Sequence, residues 1–325
     1  DEGCSCTPAK PEDGPERAAQ WRKAAELYEG ALREAPDRKE APEAAILGAS
    51  SYKQIGEYDK AIAMYELFIK EYGSDENMTK LEKGDPSNGV PPKPEELKDR
   101  VTYLKVAYDA LAEAYVLFFD YRRAAATYDK IAGIKRFEAA DRRQAARNAV
   151  YLYGNIGERA KMEDAKKTFF GMNPSAEERA EVEWLVSSAD LKDWDANGPD
   201  TGSNKAARLQ AIGSMDSYYN RFKSDGAASQ WVIHAAYNSA KMRRKGQDPR
   251  HVDWCKKTVA AFGGFKSAAG KDEEGNSKAL GSPEADMAAE CQFHEIEAEV
   301  ALRLDGQQVA VREGKFLQLR TLRVR

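Results

Sequence analysis

Small and aromatic side chains recur between Glu43 and Tyr72 at the three- and four-residue steps of an amphipathic helix. Gly56 interrupts the pattern near its middle, so the stretch predicts two helices of about a dozen residues joined by a tight turn. The pattern is carried by Ala45, Gly48, Ala49 and Tyr52 before the turn, and by Ala61, Tyr65 and Phe68 after it. Because a single helical hairpin cannot bury both its faces, this unit predicts further hairpins stacked on it.

Similar patterns predict helices along most of the chain, about twelve in all, and therefore an all-α fold. Clusters of Gly, Pro, Asp and Asn divide these helices into regions. The regions are a disordered leader (1–14), helical repeats (15–192) with an inserted loop (73–94), a linker loop (193–204), degenerate helical repeats (205–304), and a β-like or disordered tail (305–325).

Burial and secondary structure can be predicted more specifically for two segments. Residues 115–119 are apolar on every side, so we expect this helix end to be buried from several directions. In the tail, apolar residues tend to alternate around Glu313 and Gly314, which indicates a strand fragment or a β-hairpin.

The first hairpin resembles the tetratricopeptide repeat family. The matching residues are Ala49, Tyr52, Gly56, Tyr58, Ala61, Ile62 and Tyr65. Three positions depart from the family pattern: Ala45 stands where Trp is common, Gly48 where Leu is common, and Phe68 where a small residue is common. The ending at 68–72 is similar to a variant found in bacterial cell-envelope members, with Gly73 in place of the expected Pro. The resemblance implies a right-handed α-solenoid of stacked antiparallel hairpins.

In such a solenoid the first helix of each hairpin lines a concave groove, and the resemblance implies that this groove receives a peptide or a helix of a partner protein. The groove-facing positions would be Glu43, Ile46, Ser50, Lys53 and Gln54 in one repeat, and Val106, Asp109, Glu113, Val116 and Leu117 in the next. Their mixture predicts polar and apolar contacts together, rather than a clamp of one charge. Alternatively several of them, notably Val116 and Leu117, pack against a neighbouring helix.

Composition narrows the class of function. The 325 residues carry a net charge of −4, so no basic surplus exists to neutralise nucleic-acid phosphates. No run of about 20 apolar residues predicts a membrane span. Only three histidines occur, and there is no Gly-rich phosphate loop or Gly-x-Ser-x-Gly motif. These absences and the resemblance together lead us to expect a non-enzymatic protein-binding scaffold without a cofactor, and the resemblance implies a bacterial envelope assembly. The resemblance places it in the periplasm or cell envelope, with the cytoplasm as the alternative.

The loop that begins at Asp193 resembles an EF-hand calcium loop. Its oxygen-bearing residues at the spacing of calcium ligands are Asp193, Asp195 and Asn197, followed by Gly198. Asn204 stands where a bidentate Glu is expected, so binding would be weak unless Asp200 contributes. The alternative is a linker in which Asp, Asn, Gly and Pro serve turn formation alone.

A second possible metal site combines His251 and Cys255 with Cys291 and His294, each pair lying within one helical turn. Three interpretations stay open: reduced core cysteines beside a core histidine, a Cys255–Cys291 disulfide, or a zinc site. A metal-regulated helical module, using calcium or zinc, is accordingly the alternative function.

Overall fold

A computed structural model describes residues 14–84, 89–226, 229–268, 270 and 277–312, with the side chains of the last helix described as far as residue 301. Within these ranges the chain forms 13 α-helices and no β-strand. The all-α prediction is therefore confirmed for the described residues. The chain divides into two compact units, Asp1–Asn173 and Pro174–Arg325.

The described part of the first unit consists of helices that pack consecutively. They are α1 (Gly14–Glu34), α2 (Ala41–Gln54), α3 (Tyr58–Glu71), α4 (Asp75–Lys83), α5 (Pro94–Leu117), α6 (Tyr121–Gly133), α7 (Ala139–Asn155) and α8 (Arg159–Phe170). Three pairs form hairpins: α2 with α3, α5 with α6, and α7 with α8. Helix α3 also packs on α5, and α6 on α8, so successive hairpins bury one another's apolar faces.

Each hairpin turn contains a residue in the left-handed region of the backbone. Gly56 has φ 76°, Phe119 has φ 59° and Gly157 has φ 75°. Glycine adopts this conformation without the steric cost of a Cβ atom, which is why two of the three turns could be located from the sequence. Phe119 adopts it at a non-glycine position, and its turn carried no such signal.

Helix α4 corrects part of the predicted inserted loop over 73–94, because residues 75–83 are helical. Ser74 caps the helix, since its Oγ accepts the backbone N–H of Asn77 at 3.3 Å. Met78 is buried on the inner face, and Gly84 ends the helix with φ 70°. The second half of the segment is rich in Gly and Pro, which led to the prediction of a loop for the whole segment despite the capping signal at Ser74. Residues 85–88, part of the same prediction, lie outside the described residues.

Gly48 lies where α1, α2 and α3 meet. A Cβ atom built there would stand 2.5 Å from Met64 Cε and 3.1 Å from Tyr28 Cβ. The Met64 methyl group can rotate away, whereas Tyr28 Cβ is fixed to the backbone of α1. The absence of a side chain at this position therefore lets the three helices approach closely.

We expect Gly48→Ala to lower the free energy of unfolding by about 1–2 kcal/mol, because it overpacks this junction. Gly30→Ala in α1 is the matched control, since nothing lies within 4 Å of a Cβ atom there. That control should raise stability by up to about 1 kcal/mol through helix propensity. Urea unfolding of both variants measures the difference, and a stabilised Gly48→Ala variant would contradict the packing argument.

The second unit begins with α9 (Ala176–Ser188) and a 3₁₀ turn (Ala189–Asp193), and continues with α10 (Gly202–Phe222), α11 (Ser229–Lys245), α12 (His251–Ala268), a second 3₁₀ turn (Lys278–Gly281) and α13 (Pro283–Arg312). A capping box starts α9, with Ser175 and Glu178 each accepting the other's backbone N–H. Consecutive helices pack on one another here too, and α11 contacts both α12 and α13. The main core cluster centres on Met215, Tyr218 and Met242.

The segment 193–204, predicted as a linker, lies inside the second unit. The β-like tail is corrected for 305–312, which continue α13; a helix satisfies its own backbone hydrogen bonds, whereas a strand needs a partner. The predicted leader 1–14 and the rest of the tail, 313–325, lie outside the described residues except for Gly14, the first residue of α1. No described helix has both the length and the apolar character of a membrane span.

Candidate functional site

A cavity of about 580 Å³ lies between α2, α3 and α5 of the first unit. Its walls combine hydroxyl, amide, charged and apolar side chains. They are Ser50, Lys53 and Gln54 from α2, Tyr58 and Tyr65 from α3, and Val106, Asp109, Ala110 and Glu113 from α5. Six of the ten groove residues predicted from the sequence therefore border one cavity, which we call the α2–α5 groove.

Polar contacts cross the groove from wall to wall. The Lys53 ammonium donates to the Glu113 carboxylate, and the two side chains are 31% and 59% exposed. Ser50 Oγ and the Tyr65 hydroxyl lie 3.1 Å apart. Burial raises the pKa of Tyr65, so its hydroxyl keeps its proton at neutral pH and remains a hydrogen-bond donor. The groove thus offers donors and acceptors that already stand in hydrogen-bonding positions.

A second ion pair flanks the groove. Lys105 Nζ lies 2.8 Å from Asp109 Oδ2 and 3.6 Å from Asp141 Oδ1 of α7. The hydrogen bond to Asp109 raises the pKa of Lys105, so the lysine is charged. Lys53 and Lys105 therefore offset the charges of Glu113 and Asp109, in line with the predicted mixed surface.

Four predicted groove residues lie outside this cavity. Ile46 is 5% exposed and belongs to the core, so its assignment to the groove surface is corrected. Glu43 is exposed nearer the start of α2, and Val116 is half-buried. Leu117 is 52% exposed at the end of α5. The register of a helix predicts which side a residue faces, but the neighbouring hairpin decides how much of that side is covered.

Three groove residues were not predicted as such: Tyr58, Tyr65 and Ala110. In the sequence, Tyr58 and Tyr65 match positions of the repeat motif, which does not by itself assign them to the groove. Their rings do pack between helices, but Tyr65 also carries its hydroxyl to Ser50 at the groove wall. A tyrosine commonly packs its ring in the core and hydrogen-bonds with its hydroxyl at the surface. This dual character of Tyr65 is the signal that could have identified it as a groove residue.

The expectation that 115–119 is buried from several sides is wrong beyond Val116. Leu117, Phe118 and Phe119 are 52%, 51% and 78% exposed, and we call them the apolar edge. They lie at the end of α5 and in the turn that leads to α6, whereas the preceding Tyr115 is 6% exposed. The Phe118 ring makes an edge-to-face contact with Tyr58, with centroids 5.6 Å apart. The apolar edge is therefore continuous with the α2–α5 groove through Tyr58.

In the second unit, the loop predicted to bind calcium is held by its own hydrogen bonds. Asn204 Oδ1 accepts the backbone N–H of Asp195 at 2.8 Å, and its Nδ2 donates to Pro199 O at 3.0 Å. Asp200 receives two hydrogen bonds from Arg208, at 2.7 and 2.9 Å, and these lower its pKa. The two residues that would complete a calcium shell are thus engaged within the protein. This arrangement fits the alternative of a turn-forming segment.

The proposed zinc ligands do come together: His251, Cys255, Cys291 and His294 border one cavity of about 270 Å³ between α11, α12 and α13. The His294 imidazole, however, has partners at both nitrogens, Arg244 at Nε2 and Glu297 at Nδ1. Arg244 donates to His294 Nε2 at 2.8 Å, and His251 Nδ1 lies 3.0 Å from the Asp248 carbonyl oxygen. Among the described residues no three His, Cys, Asp or Glu side chains converge on a position that could hold a metal ion. The cysteines are buried free thiols.

The chain matches no model of a known protein family, and no curated protein sequence matches it either. The resemblance to tetratricopeptide repeats consequently depends on the motif residues of the first hairpin.

Proposed function

We propose that this protein is a non-enzymatic scaffold of the tetratricopeptide repeat type, whose first unit binds an extended segment of a partner protein in the α2–α5 groove. The observation that supports it best is the convergence of residues from two successive hairpins on one solvent-open cavity. Lys53 and Glu113 are 60 positions apart in sequence and pair across it. A groove between stacked repeats is the surface that helical-repeat proteins use for binding.

The composition of the groove favours a peptide over a small apolar ligand. Ser50, Gln54 and Tyr65 offer hydroxyl and amide groups, which suit the repeating N–H and C=O groups of an extended backbone. The Lys53–Glu113 pair is exposed, so opening it to contact a charged side chain of the guest costs little. Charges of both signs would then set the orientation of the bound peptide.

The apolar edge extends this surface beyond the cavity. Three consecutive large apolar side chains at a turn are unusual for a protein surface that stays in water, and such patches commonly mark interaction sites. Because Phe118 contacts Tyr58, a guest in the groove would reach the apolar edge without a gap. We therefore propose a partner segment that carries an apolar anchor next to polar or charged residues.

The remaining parts of the proposal follow the resemblance. They are a right-handed solenoid, protein partners rather than nucleic acid, and a role in a bacterial envelope assembly. The similarity of 68–72 to cell-envelope members of the family supports the location, with the cytoplasm as the alternative. The alternative function, a metal-regulated module, has the weaker support because Asp200 and Asn204 already hold internal partners.

Charge reversal in the groove tests the proposal. Lys53→Glu should weaken capture of partner proteins from a lysate of the source organism by about tenfold or more, because it places a like charge beside Glu113 and against the guest. The double variant Lys53→Glu with Glu113→Lys exchanges the two charges and so restores the ion pair. Its stability should therefore match that of the unmodified chain, while capture of partner proteins should stay weak. Quantitative mass spectrometry of the captured proteins gives the readout.

Lys70→Glu is the matched control, because Lys70 lies on α3 with its side chain 82% exposed and does not line the groove. It should capture the same proteins as the unmodified chain. Phe118→Ser removes the centre of the apolar edge and should weaken capture as Lys53→Glu does. Equal capture by all of these variants, each with unchanged far-ultraviolet circular dichroism, would contradict the proposed groove.

A further inference from the structure

Two thiols from different helices meet in the second unit. Cys255 of α12 and Cys291 of α13 are each 1% exposed, and both line the same cavity. They belong to one cluster with Trp254 and the α11 residues Ala236 and Ala240. The packing of α12 against α13 therefore holds the two sulfur atoms side by side without a covalent bond between them.

These thiols differ from ordinary core cysteines because they border a cavity. The space of about 270 Å³ is lined by both cysteines and by the cationic residues Lys241, Arg244 and Lys245. A water molecule takes up about 30 Å³ of liquid, so a hydroperoxide of similar size can be accommodated beside the sulfur atoms. A bulky peptide disulfide would have to displace the surrounding helices to reach them.

The interaction between the two thiols gives them different roles. The neighbouring Cys255 thiol lowers the pKa of Cys291 by more than burial raises it. The same interaction with Cys291, together with burial, raises the pKa of Cys255. Of the two thiols, Cys291 is thus the one that ionises more readily, and the thiolate is the nucleophilic form of cysteine. Cys255 keeps its proton and stands in contact with it.

We propose that Cys255 and Cys291 form a redox-active pair, oxidised to a disulfide by a small hydroperoxide that enters the cavity. The Cys291 thiolate attacks one peroxide oxygen, the O–O bond breaks, and hydroxide leaves, which gives a sulfenic acid on Cys291. The Cys255 sulfur then attacks the Cys291 sulfur, the S–O bond breaks, and water leaves after taking up the proton of Cys255. In total two thiols and one hydrogen peroxide give one disulfide and two waters.

The Cys255–Cys291 disulfide would join α12 to α13 and close a loop that contains the segment between these helices. A disulfide restricts the unfolded chain, and more so when the enclosed loop is long. Oxidation should therefore raise the thermal midpoint of the second unit by roughly 5–10 °C. Reduction by dithiothreitol should return the midpoint to its original value. This inference concerns the second unit only, so its failure would leave the α2–α5 groove untouched.

The test uses the full chain with Cys4 and Cys6 replaced by Ser, so that Cys255 and Cys291 are the two remaining cysteines. Hydrogen peroxide should remove the mass of two hydrogen atoms, and non-reducing peptide mapping should recover a peptide pair that joins Cys255 to Cys291. Glutathione disulfide at the same concentration should oxidise the pair at least tenfold more slowly.

Single variants in the same background separate the roles. Cys255→Ser should leave a sulfenic acid on Cys291 that dimedone labels, whereas Cys291→Ser should leave Cys255 unlabelled. Because Ser is close in size to Cys, both variants should keep the thermal midpoint of the reduced chain within a few degrees. Differential alkylation of the chain without these single changes gives the same answer should either variant fold poorly.

Three results would overturn the proposal. One is free thiols at both positions after peroxide has fully oxidised an added exposed thiol such as glutathione. Another is over-oxidation of Cys291 to a sulfinic acid while Cys255 stays free. The third is stoichiometric zinc that remains bound in the purified reduced chain and is lost in both single variants, because the thiols would then serve a metal site.

Discussion

Replacing Phe68 with Ala is expected to lower the free energy of unfolding of the first unit by about 3–5 kcal/mol. Phe68 is completely buried on α3, and its ring makes an edge-to-face contact with Tyr103 of α5, with centroids 6.4 Å apart. It thereby connects the first hairpin to the second. Removing it leaves a cavity whose walls, built from two packed helices, can collapse only partly.

Leu67→Ala is the control for this prediction, because Leu67 neighbours Phe68 on the same helix and is 42% exposed. Its loss should cost about 1 kcal/mol or less, since much of the side chain already lies in water. Urea unfolding followed by far-ultraviolet circular dichroism measures both variants. Hydrogen exchange read by mass spectrometry should localise the Phe68→Ala effect to α2, α3 and α5. Equal losses for the two variants would contradict the role of Phe68 as the connecting residue.

The second large effect is expected for Arg243→Met in the second unit, at about 3 kcal/mol. The Arg243 side chain is 5% exposed, and it donates to Asp216 of α10 at 2.5 and 2.9 Å. Its guanidinium also lies over the Trp254 ring of α12, 4.9 Å from the centroid. One side chain of α11 therefore connects three helices. Met fills the space of the aliphatic stem but leaves Asp216 without this partner.

Arg250→Met provides the comparison, since Arg250 is paired with Asp248 at 2.6 Å while its side chain is 71% exposed. The same substitution should cost much less there, because exposed ion pairs contribute little to stability. Four of the five tryptophans, Trp184, Trp194, Trp231 and Trp254, lie in the second unit, so tryptophan fluorescence during urea unfolding mainly reports on it. If Arg243→Met lowered the free energy of unfolding as little as Arg250→Met, the buried Arg243–Asp216 pair would contribute little to stability.

Most helices and the glycine turns could be predicted from local patterns. The spacing of Ala49, Tyr52, Ala61 and Tyr65 depends only on the period of a helix, and Gly56 only on the conformations open to glycine. Short helix-capping signals were missed where they are followed by Gly and Pro residues, which predict a loop. Helix α4 has a cap at Ser74, but the Gly and Pro residues that follow it dominated the interpretation.

The candidate site was predictable in part, for a similar reason. Helical register placed Lys53 and Glu113 on the inner faces of their helices, which was sufficient to include both in the groove. It could not exclude Ile46, because the depth at which α2 packs against its neighbours is set by Gly48 and by side chains elsewhere in the chain. Nor could it reveal the exposure of Phe118 and Phe119, which depends on where the α5–α6 turn emerges from the packed helices.

Most helix positions, the glycine turns and the class of the fold follow from the chain alone, because each depends on the chemistry of residues within a few positions of one another. Contacts between distant residues do not follow in this way. Lys53 meets Glu113, and Cys255 meets Cys291, only because particular helices pack at particular depths. That packing minimises the free energy of all the buried side chains together, so no local segment of the chain encodes it.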